Sequence, residues 1–253
     1  MKVELTITPA ESKRLIAKAV VEMEAVRKAK KKGILVICRG STTAYVLEEI
    51  QGSRIGKGRY TAGYIGPKGL EVNPKIPKEM VFVDGKVKEG AALADIVDEL
   101  KPGDVVIKGA NAIGPDGIPG NLVARRNPKT MGGTVGTFQM AAMARGVDVI
   151  VPIGLEKYIP VSVLVGSKKL SSGQVDYATG MPCGLIPIFG TVVTEMEALK
   201  MMADVDVTPI AAGGIGGAEG STTLLVEGDE AQVRKVITVV KGIKGEAPVQ
   251  EPK

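Results

Sequence analysis

Histidine and tryptophan are absent from this 253-residue sequence, and only two cysteines occur, Cys38 and Cys183. Histidine is the commonest proton shuttle near neutral pH and the commonest ligand of transition metals. We therefore expect acid–base chemistry to come from Asp, Glu, Lys, Tyr or Cys, and we expect no metal and no other cofactor. The two cysteines are too few for a disulfide framework and form no C-x-x-C pair, so we interpret them as small buried apolar residues.

Aromatic residues are also scarce, at 3% of the chain, and the net charge of +5 is modest. Few stacking platforms are therefore available for single-stranded nucleic acid. The one dense basic run, residues 27–32, falls at the end of a predicted helix. The helix dipole favours cations at that end, so we interpret the run as a solvated helix terminus and expect no nucleic-acid partner.

A long apolar run is missing as well. The longest uncharged apolar run spans roughly residues 181–194, contains two prolines and two glycines, and is too short to cross a bilayer. The first residues lack the basic-then-apolar order of a secretion signal. We therefore expect no membrane partner and a cytoplasmic location.

What the sequence does contain is an alternation of short apolar runs and helical patterns, with 44% hydrophobic residues in all. The first helix is predicted over residues 9–31, because Thr8, Pro9 and Glu11 form an N-cap, a first-turn proline and a capping box. A hairpin is predicted around Asp84 and the glycine that follows it.

Three continuous apolar runs, at residues 34–37, 105–107 and 147–153, are typical of strands covered on both faces. Each lies next to a predicted helix, so we expect parallel strands of one sheet. The predicted fold class is α/β, with an open parallel-sheet Rossmann-like core and a smaller C-terminal α+β subdomain. We expect the core at residues 1–190, an α-β-β-α subdomain at 191–245 and a flexible tail at 246–253.

A glycine turn follows the strand at residues 34–37 and leads into the next helix; it comprises Arg39, Gly40, Ser41, Thr42 and Thr43. Backbone N–H groups at a helix N-terminus lack partners within the helix, and the dipole attracts anions there. Glycine lets a phosphate approach closely, and the hydroxyls and the guanidinium are donors. The sequence therefore predicts an anion site, with an ordinary serine N-cap after a glycine turn as the alternative.

A second glycine turn, formed by Gly132, Gly133 and Thr134, is expected at the same sheet edge and on the same phosphate. Lys108, Asn111 and Asp116 follow the strand at residues 105–107. We therefore expect them at the same edge of the sheet as the two glycine turns. The aspartate could instead be no more than a turn residue.

Glu156 and its neighbour Lys157 follow the strand at 147–153 and could supply acid–base groups, or they could form a solvated surface pair. A third glycine cluster, residues 213–222, has more glycine than a turn needs. It predicts the close approach of a backbone or a ligand, and a tight hairpin or an oligomer contact explains it as well.

The stretch 37–50, especially the Gly-Ser-Thr-Thr-Ala-Tyr run at 40–45, resembles the phosphate loop of ribose-5-phosphate isomerases. The wider pattern resembles their superfamily, which also holds glucosamine-6-phosphate deaminases and coenzyme A transferases. Residues 108–113, Asp116, Asn121 and residues 133–141 are similar to the signature of the branch shared by initiation factor two B and methylthioribose-phosphate isomerases. Asn111 stands where both isomerase groups carry an aspartate.

The resemblance implies an enzyme that binds a phosphorylated small metabolite and catalyses aldose–ketose isomerisation or a related proton transfer next to a carbonyl. In this hypothesis Asp116 or Glu156 moves the proton and Lys108 stabilises the developing oxyanion. An amide cannot accept a proton as a carboxylate does, so Asn111 favours a second hypothesis, a non-catalytic metabolite sensor. A coenzyme A transferase is a third, and a homo-oligomer is expected in each case.

Overall fold

The computed structural model describes residues 1–124, 132–171 and 175–252. The chain forms a mixed α/β fold. Its helices are α1 (Pro9–Glu22), α2 (Glu24–Lys31), α3 (Ser41–Gln51), α4 (Leu93–Ile96), α5 (Gly133–Arg145), α6 (Val163–Ser171), α7 (Glu195–Met202) and α8 (Glu230–Ile243). Its strands are β1 (Lys2–Ile7), β2 (Ile34–Ile37), β3 (Gly63–Gly66), β4 (Gly69–Val72), β5 (Met80–Val83), β6 (Lys86–Val87), β7 (Val105–Ile107), β8 (Ala112–Ile113), β9 (Pro119–Ala124), β10 (Asp148–Pro152), β11 (Cys183–Pro187), β12 (Thr191–Val193), β13 (Val205–Gly213) and β14 (Ser221–Gly228).

The central sheet has six strands in the order β12-β10-β7-β2-β5-β6. Strands β12, β10, β7 and β2 are parallel. The prediction of three parallel strands in one sheet is therefore confirmed. The prediction of a purely parallel sheet is wrong, because β5 pairs antiparallel with β2 and β6 pairs antiparallel with β5.

The predicted hairpin explains the mixed sheet. Asp84 and Gly85 both have positive φ, at 48° and 81°, as tight two-residue hairpin turns require. The turn holds β5 and β6 as an antiparallel pair, and β5 then hydrogen-bonds the free edge of β2.

The central sheet is covered on both faces, as its continuous apolar strands predict. On β2, Leu35 and Ile37 join one core with α1, α2, α3, α7 and α8. The alternate residues Ile34 and Val36 join a second core with α4 and α5. Helices α3 and α5 therefore lie on opposite faces of the sheet.

The predicted first helix is divided in two. Met23 lies between α1 and α2 with an extended backbone, at φ −59° and ψ 136°. The break reorients the second helix, and its residues Val26 and Ala29 are then fully buried in the core.

A second, antiparallel sheet has the order β1-β14-β13. The order α7-β13-β14-α8 matches the α-β-β-α order expected for the C-terminal region. The N-terminal strand β1 completes this sheet by pairing with β14, and the edge strand β12 belongs to the central sheet. Side chains of this unit share one core with α1 and α3.

Two smaller elements complete the fold. Strands β11, β9 and β8 form an antiparallel sheet, and β3 and β4 form a hairpin. In the described part of the chain, no helix is both long and apolar enough to cross a membrane.

Candidate functional site: a cavity at two helix N-termini

A cavity of about 700 Å³ opens where the N-terminal ends of α1 and α3 meet. We refer to it as the main cavity. The segment after β7, the β3–β4 hairpin and the glycine loop between β13 and β14 supply further walls. Its volume lies within the range of small-molecule sites.

The N-terminus of α3 lines the main cavity with Gly40, Ser41 and Thr42. The N-cap of α3 is Gly40, and Ser41 is the first residue of the helix, so the alternative of a serine N-cap is wrong. Among the described residues, no side chain caps this helix. The first N–H groups of a helix have no partner within the helix. The amides at this helix end therefore remain available to an anion.

Thr42 adds the most specific feature of this helix end. The residue is 2% exposed and lines the main cavity. Its buried hydroxyl has no hydrogen-bond partner within the described residues. The neighbouring hydroxyl of Thr43, in contrast, donates to the Gly40 carbonyl oxygen at 3.1 Å. Since a buried hydroxyl without a partner is costly, the free hydroxyl of Thr42 marks a place for a ligand.

Helix α1 reaches the same cavity with its N-terminus already satisfied. Thr8 accepts from the Glu11 amide at 3.4 Å, and the Glu11 carboxylate accepts from the Thr8 amide at 2.9 Å. The predicted capping box is therefore confirmed. Of the two helix ends at the cavity, α3 is the one left open to a ligand.

Two lysines line the cavity beside these helix ends, Lys13 and Lys157. Lys13 Nζ contacts Glu156 Oε1 at 2.7 Å and the Pro9 carbonyl oxygen at 3.1 Å. Lys157 Nζ donates to the Ala110 carbonyl oxygen at 2.8 Å. Burial lowers the pKa of Lys157 to about 8, against the opposing attraction of Glu156.

Lys108 lies behind this wall and is 7% exposed. Its Nζ donates to the Gly109 carbonyl oxygen and to Asn121 Oδ1, each at 2.7 Å. Burial lowers its pKa to about 8. Because Asn121 itself lines the main cavity, Lys108 acts on the site through this amide.

Asn111 also lines the cavity. Its Oδ1 accepts a hydrogen bond from the Leu122 amide at 3.0 Å, which ties the segment after β7 to β9. This bond uses the amide oxygen within the protein. The side-chain NH₂ is the group of Asn111 that can serve a ligand as donor.

The two carboxylates proposed to move a proton lie outside the lining of the main cavity. Asp116 is exposed in a turn and accepts from the Ser162 hydroxyl at 2.6 Å and from the Ile118 amide at 3.3 Å, and the hydroxyl lowers its pKa. Glu156 is paired with Lys13; burial opposes its ionisation, but Lys13 and Lys157 hold its pKa below the ordinary value. Among the described residues, the carboxylates that line the cavity are Glu219 and Glu251.

The second glycine turn lies elsewhere. Gly133 and Thr134 line a separate cavity of about 610 Å³, together with Arg39. Arg39 donates to the Thr134 hydroxyl at 2.9 Å and forms an ion pair with Glu79. Gly132 is the N-cap of α5.

The expectation that both glycine turns bind one phosphate is therefore wrong. Helices α3 and α5 pack on opposite faces of the central sheet, and their N-termini open into different cavities. That Arg39, Gly132, Gly133 and Thr134 bind a ligand stays a prediction.

Two parts of the site come from distant parts of the chain. The glycine cluster contributes Gly217 and Glu219, and the C-terminal segment, residues 246–252, contributes its residues 248–252. In the segment expected as a flexible tail, Glu246 pairs with Arg14 at 2.9 Å and Val249 packs on the core. A methyl group on Gly58 would lie 1.8 Å from the Gln250 carbonyl oxygen, so this glycine makes room for the segment.

Comparison with protein-family models, with curated proteins and with solved structures found no significant match to this chain. The resemblance to sugar-phosphate isomerases therefore stays a prediction, and function has to be argued from the geometry of the site.

Proposed function

We propose that the main cavity binds a phosphorylated small metabolite, with its phosphate at the N-terminus of α3. The observation that carries the proposal is the hydroxyl of Thr42, a residue that lines the cavity, because this hydroxyl is buried and has no partner in the described chain. A phosphate oxygen would accept from this hydroxyl and from the first amides of α3, and the helix dipole would add its attraction. Lys13 and Lys157 supply positive charge on the same cavity wall.

For the reaction, we propose aldose–ketose isomerisation or a related proton transfer next to a carbonyl. The best-placed group is Lys157, since an amine with a pKa of about 8 is partly neutral near pH 7.5 and can accept a proton. Lys108, through Asn121, would stabilise negative charge that develops on a substrate oxygen.

A non-catalytic metabolite sensor is the second candidate. It is favoured by the placement of Asp116 and Glu156 outside the cavity lining and by the amide of Asn111 inside it. A coenzyme A transferase remains a third hypothesis, and Glu156 is its weak point because that carboxylate is paired with Lys13.

We also propose that the central sheet forms a Rossmann-like core, that the protein is cytoplasmic, and that it assembles into a homo-oligomer. The parallel strands β12, β10, β7 and β2 support the first. Exposed apolar side chains on α5, Met140 at 74% and Met143 at 61%, support the last. Light scattering coupled to gel filtration would measure the subunit number.

Thermal-shift measurements test the binding proposal with ribose 5-phosphate, glucosamine 6-phosphate, acetyl-coenzyme A and unphosphorylated ribose. We expect the sugar phosphates to stabilise the protein and ribose to have no effect. Thr42→Val should weaken the binding of the stabilising sugar phosphate by about tenfold or more, since a hydrogen bond to a charged group is lost. Thr43→Val is the matched control and should keep full affinity, because that hydroxyl bonds within its own helix turn.

Equal stabilisation by ribose, or equal loss of affinity in both valine variants, would contradict the proposal. Deuterium exchange then separates the two candidates. Incorporation of solvent deuterium at carbon in the bound sugar phosphate supports the isomerase, and a stabilising sugar phosphate that never exchanges supports the sensor.

A further inference from the structure

The main cavity has a second kind of wall that a sugar phosphate alone would not use. The β3–β4 hairpin contributes Tyr64, Ile65 and Pro67 to the lining, and the C-terminal segment contributes Pro248, Val249 and Pro252. These side chains are apolar or aromatic, whereas the wall around Thr42 is polar and cationic. A sugar phosphate is polar over its whole length and gains little from apolar contacts.

The size of the cavity agrees with a larger ligand. A volume of about 700 Å³ is in the range of sites for drug-sized molecules, and a pentose phosphate would fill only a part of it. With the phosphate at α3, the rest of the ligand has room to reach the hairpin.

The hairpin contributes an aromatic ring to the lining, and that ring packs closely against its own hairpin. The Tyr64 hydroxyl lies 3.3 Å from Glu71 Oε2, which ties the ring to the hairpin. Gly66 lies beside the ring, where a methyl group would lie 3.0 Å from Tyr64 Cε2. The neighbouring Ile65 is 67% exposed. A flat ring packs well against a tyrosine and against the prolines and valine of the C-terminal segment.

Carboxylates in the cavity lining, one of them on the C-terminal segment, select against a second phosphate. Glu219 and Glu251 both line the cavity, and Gln250 lies between the prolines of the C-terminal segment. Carboxylates accept hydrogen bonds from an amino group and repel further phosphates. The lining therefore favours one phosphate at α3 and a ring with hydrogen-bond donors at the other wall.

We propose that the ligand of the main cavity is a nucleoside monophosphate whose base packs between the β3–β4 hairpin and the C-terminal segment. The proposal rests on the proposed function, because it takes the phosphate position at α3 from it. The ribose of a nucleoside monophosphate is a glycoside without a carbonyl to isomerise, so this ligand goes with the sensor and not with the isomerase. The proposal adds the base site and makes Tyr64 a residue that determines specificity.

Titration calorimetry with AMP, GMP, CMP, UMP and ribose 5-phosphate tests this proposal. We expect at least one nucleoside monophosphate to bind tenfold or more tightly than ribose 5-phosphate. Tyr64→Ala should weaken that nucleotide by about tenfold, the size of a base–aromatic contact, and should leave ribose 5-phosphate unchanged. Tyr64→Phe keeps the ring and should keep the affinity. Ile65→Ala is the matched control and should keep the affinity, because successive side chains of a strand point to opposite faces and the exposed Ile65 side chain lies on the other face of β3 from Tyr64.

The proposal is overturned if ribose 5-phosphate binds as tightly as all four nucleotides, or if Tyr64→Ala leaves the affinity of the best nucleotide unchanged or lowers it no more than Ile65→Ala does. In either case a loss of affinity in Thr42→Val would still support the phosphate site. If none of the five compounds binds, the base site and the proposed function both fail.

Discussion

Two clusters of charged side chains lie beside helix α1, and they differ in how their charges are compensated. Around Arg14, the guanidinium meets three carboxylates: Glu48, Glu49 at 2.7 Å and Glu246 at 2.9 Å. Around the main cavity, Lys108 and Lys157 donate to carbonyl and amide oxygens.

The difference indicates which cluster holds the fold together and which one binds a ligand. Carboxylates compensate the charge of Arg14, and the network fastens the C-terminal segment through Glu246. Lys108 and Lys157 form no ion pair among the described residues, although Glu156 attracts Lys157, and burial lowers the pKa of each to about 8. Positive charge that the protein leaves without an anion is free to attract one from solution.

The largest expected effect is on stability and comes from the Arg14 network. Arg14→Met removes the guanidinium that contacts Glu48, Glu49 and Glu246 and, among the described residues, leaves the buried Glu48 with only the longer ion pairs to Lys57 at 3.2 Å and Arg54 at 3.4 Å. We expect a loss of about 3–5 kcal/mol in the free energy of unfolding, the usual cost of removing one partner of a buried ion pair. Urea denaturation measures it. Lys28→Met, which breaks the exposed pair with Glu24, is the control and should change stability little. Similar losses in both variants would contradict the structural role of the network.

A smaller effect is expected where the C-terminal segment crosses Gly58. Gly58→Ala places a methyl group 1.8 Å from the Gln250 carbonyl oxygen, so the segment must move. We expect a cost of about 1–3 kcal/mol, typical of overpacking, and faster cleavage of the segment in limited proteolysis. Gly242→Ala has no neighbour within 4 Å and no positive φ, so it should leave the cleavage rate unchanged. Unchanged cleavage in Gly58→Ala would show that the segment does not dock there.

The smallest expected effect is a pH dependence of phosphate binding. The ligand phosphate is already dianionic above pH 7, because its second pKa is about 6. Since the pKa of Lys157 is about 8, this amine is mostly protonated at pH 7 and mostly neutral at pH 9. Affinity for ribose 5-phosphate should therefore fall by about fivefold between pH 7 and pH 9, which corresponds to one close charge interaction of about 1 kcal/mol. Lys157→Gln should flatten this profile and the exposed Lys31→Gln should not. A profile that rises with pH would exclude the cationic role.

The elements that were predicted correctly are those set by local sequence. The runs at β2, β7 and β10 are continuous and apolar because both faces of these strands are covered. Thr8 and Glu11 fix the start of α1 through bonds three residues apart. The break at Met23 carries no glycine or proline and serves only to orient Val26 and Ala29, so it could not be predicted.

The candidate site was predicted in part for the same reason. Gly40 and Thr42 lie at a strand-to-helix turn, where local sequence specifies an open helix end. The C-terminal segment reaches the cavity through Glu246, whose partner Arg14 is 232 residues away in sequence. Such a long-range pair leaves no local pattern. The false expectation of a shared cleft had a topological cause, since α5 packs on the face of the central sheet opposite to α3.

The central claim, a phosphate held at the N-terminus of α3, is tested most directly by a charge placed at Ser41. This residue lines the main cavity and is the first residue of the helix. An acidic residue there suits the helix dipole, so Ser41→Asp should fold normally, and Ser41→Asn is its neutral control of nearly equal shape. In titration calorimetry with ribose 5-phosphate, we predict that Ser41→Asp abolishes binding and Ser41→Asn retains it. Full affinity in Ser41→Asp would contradict the claim.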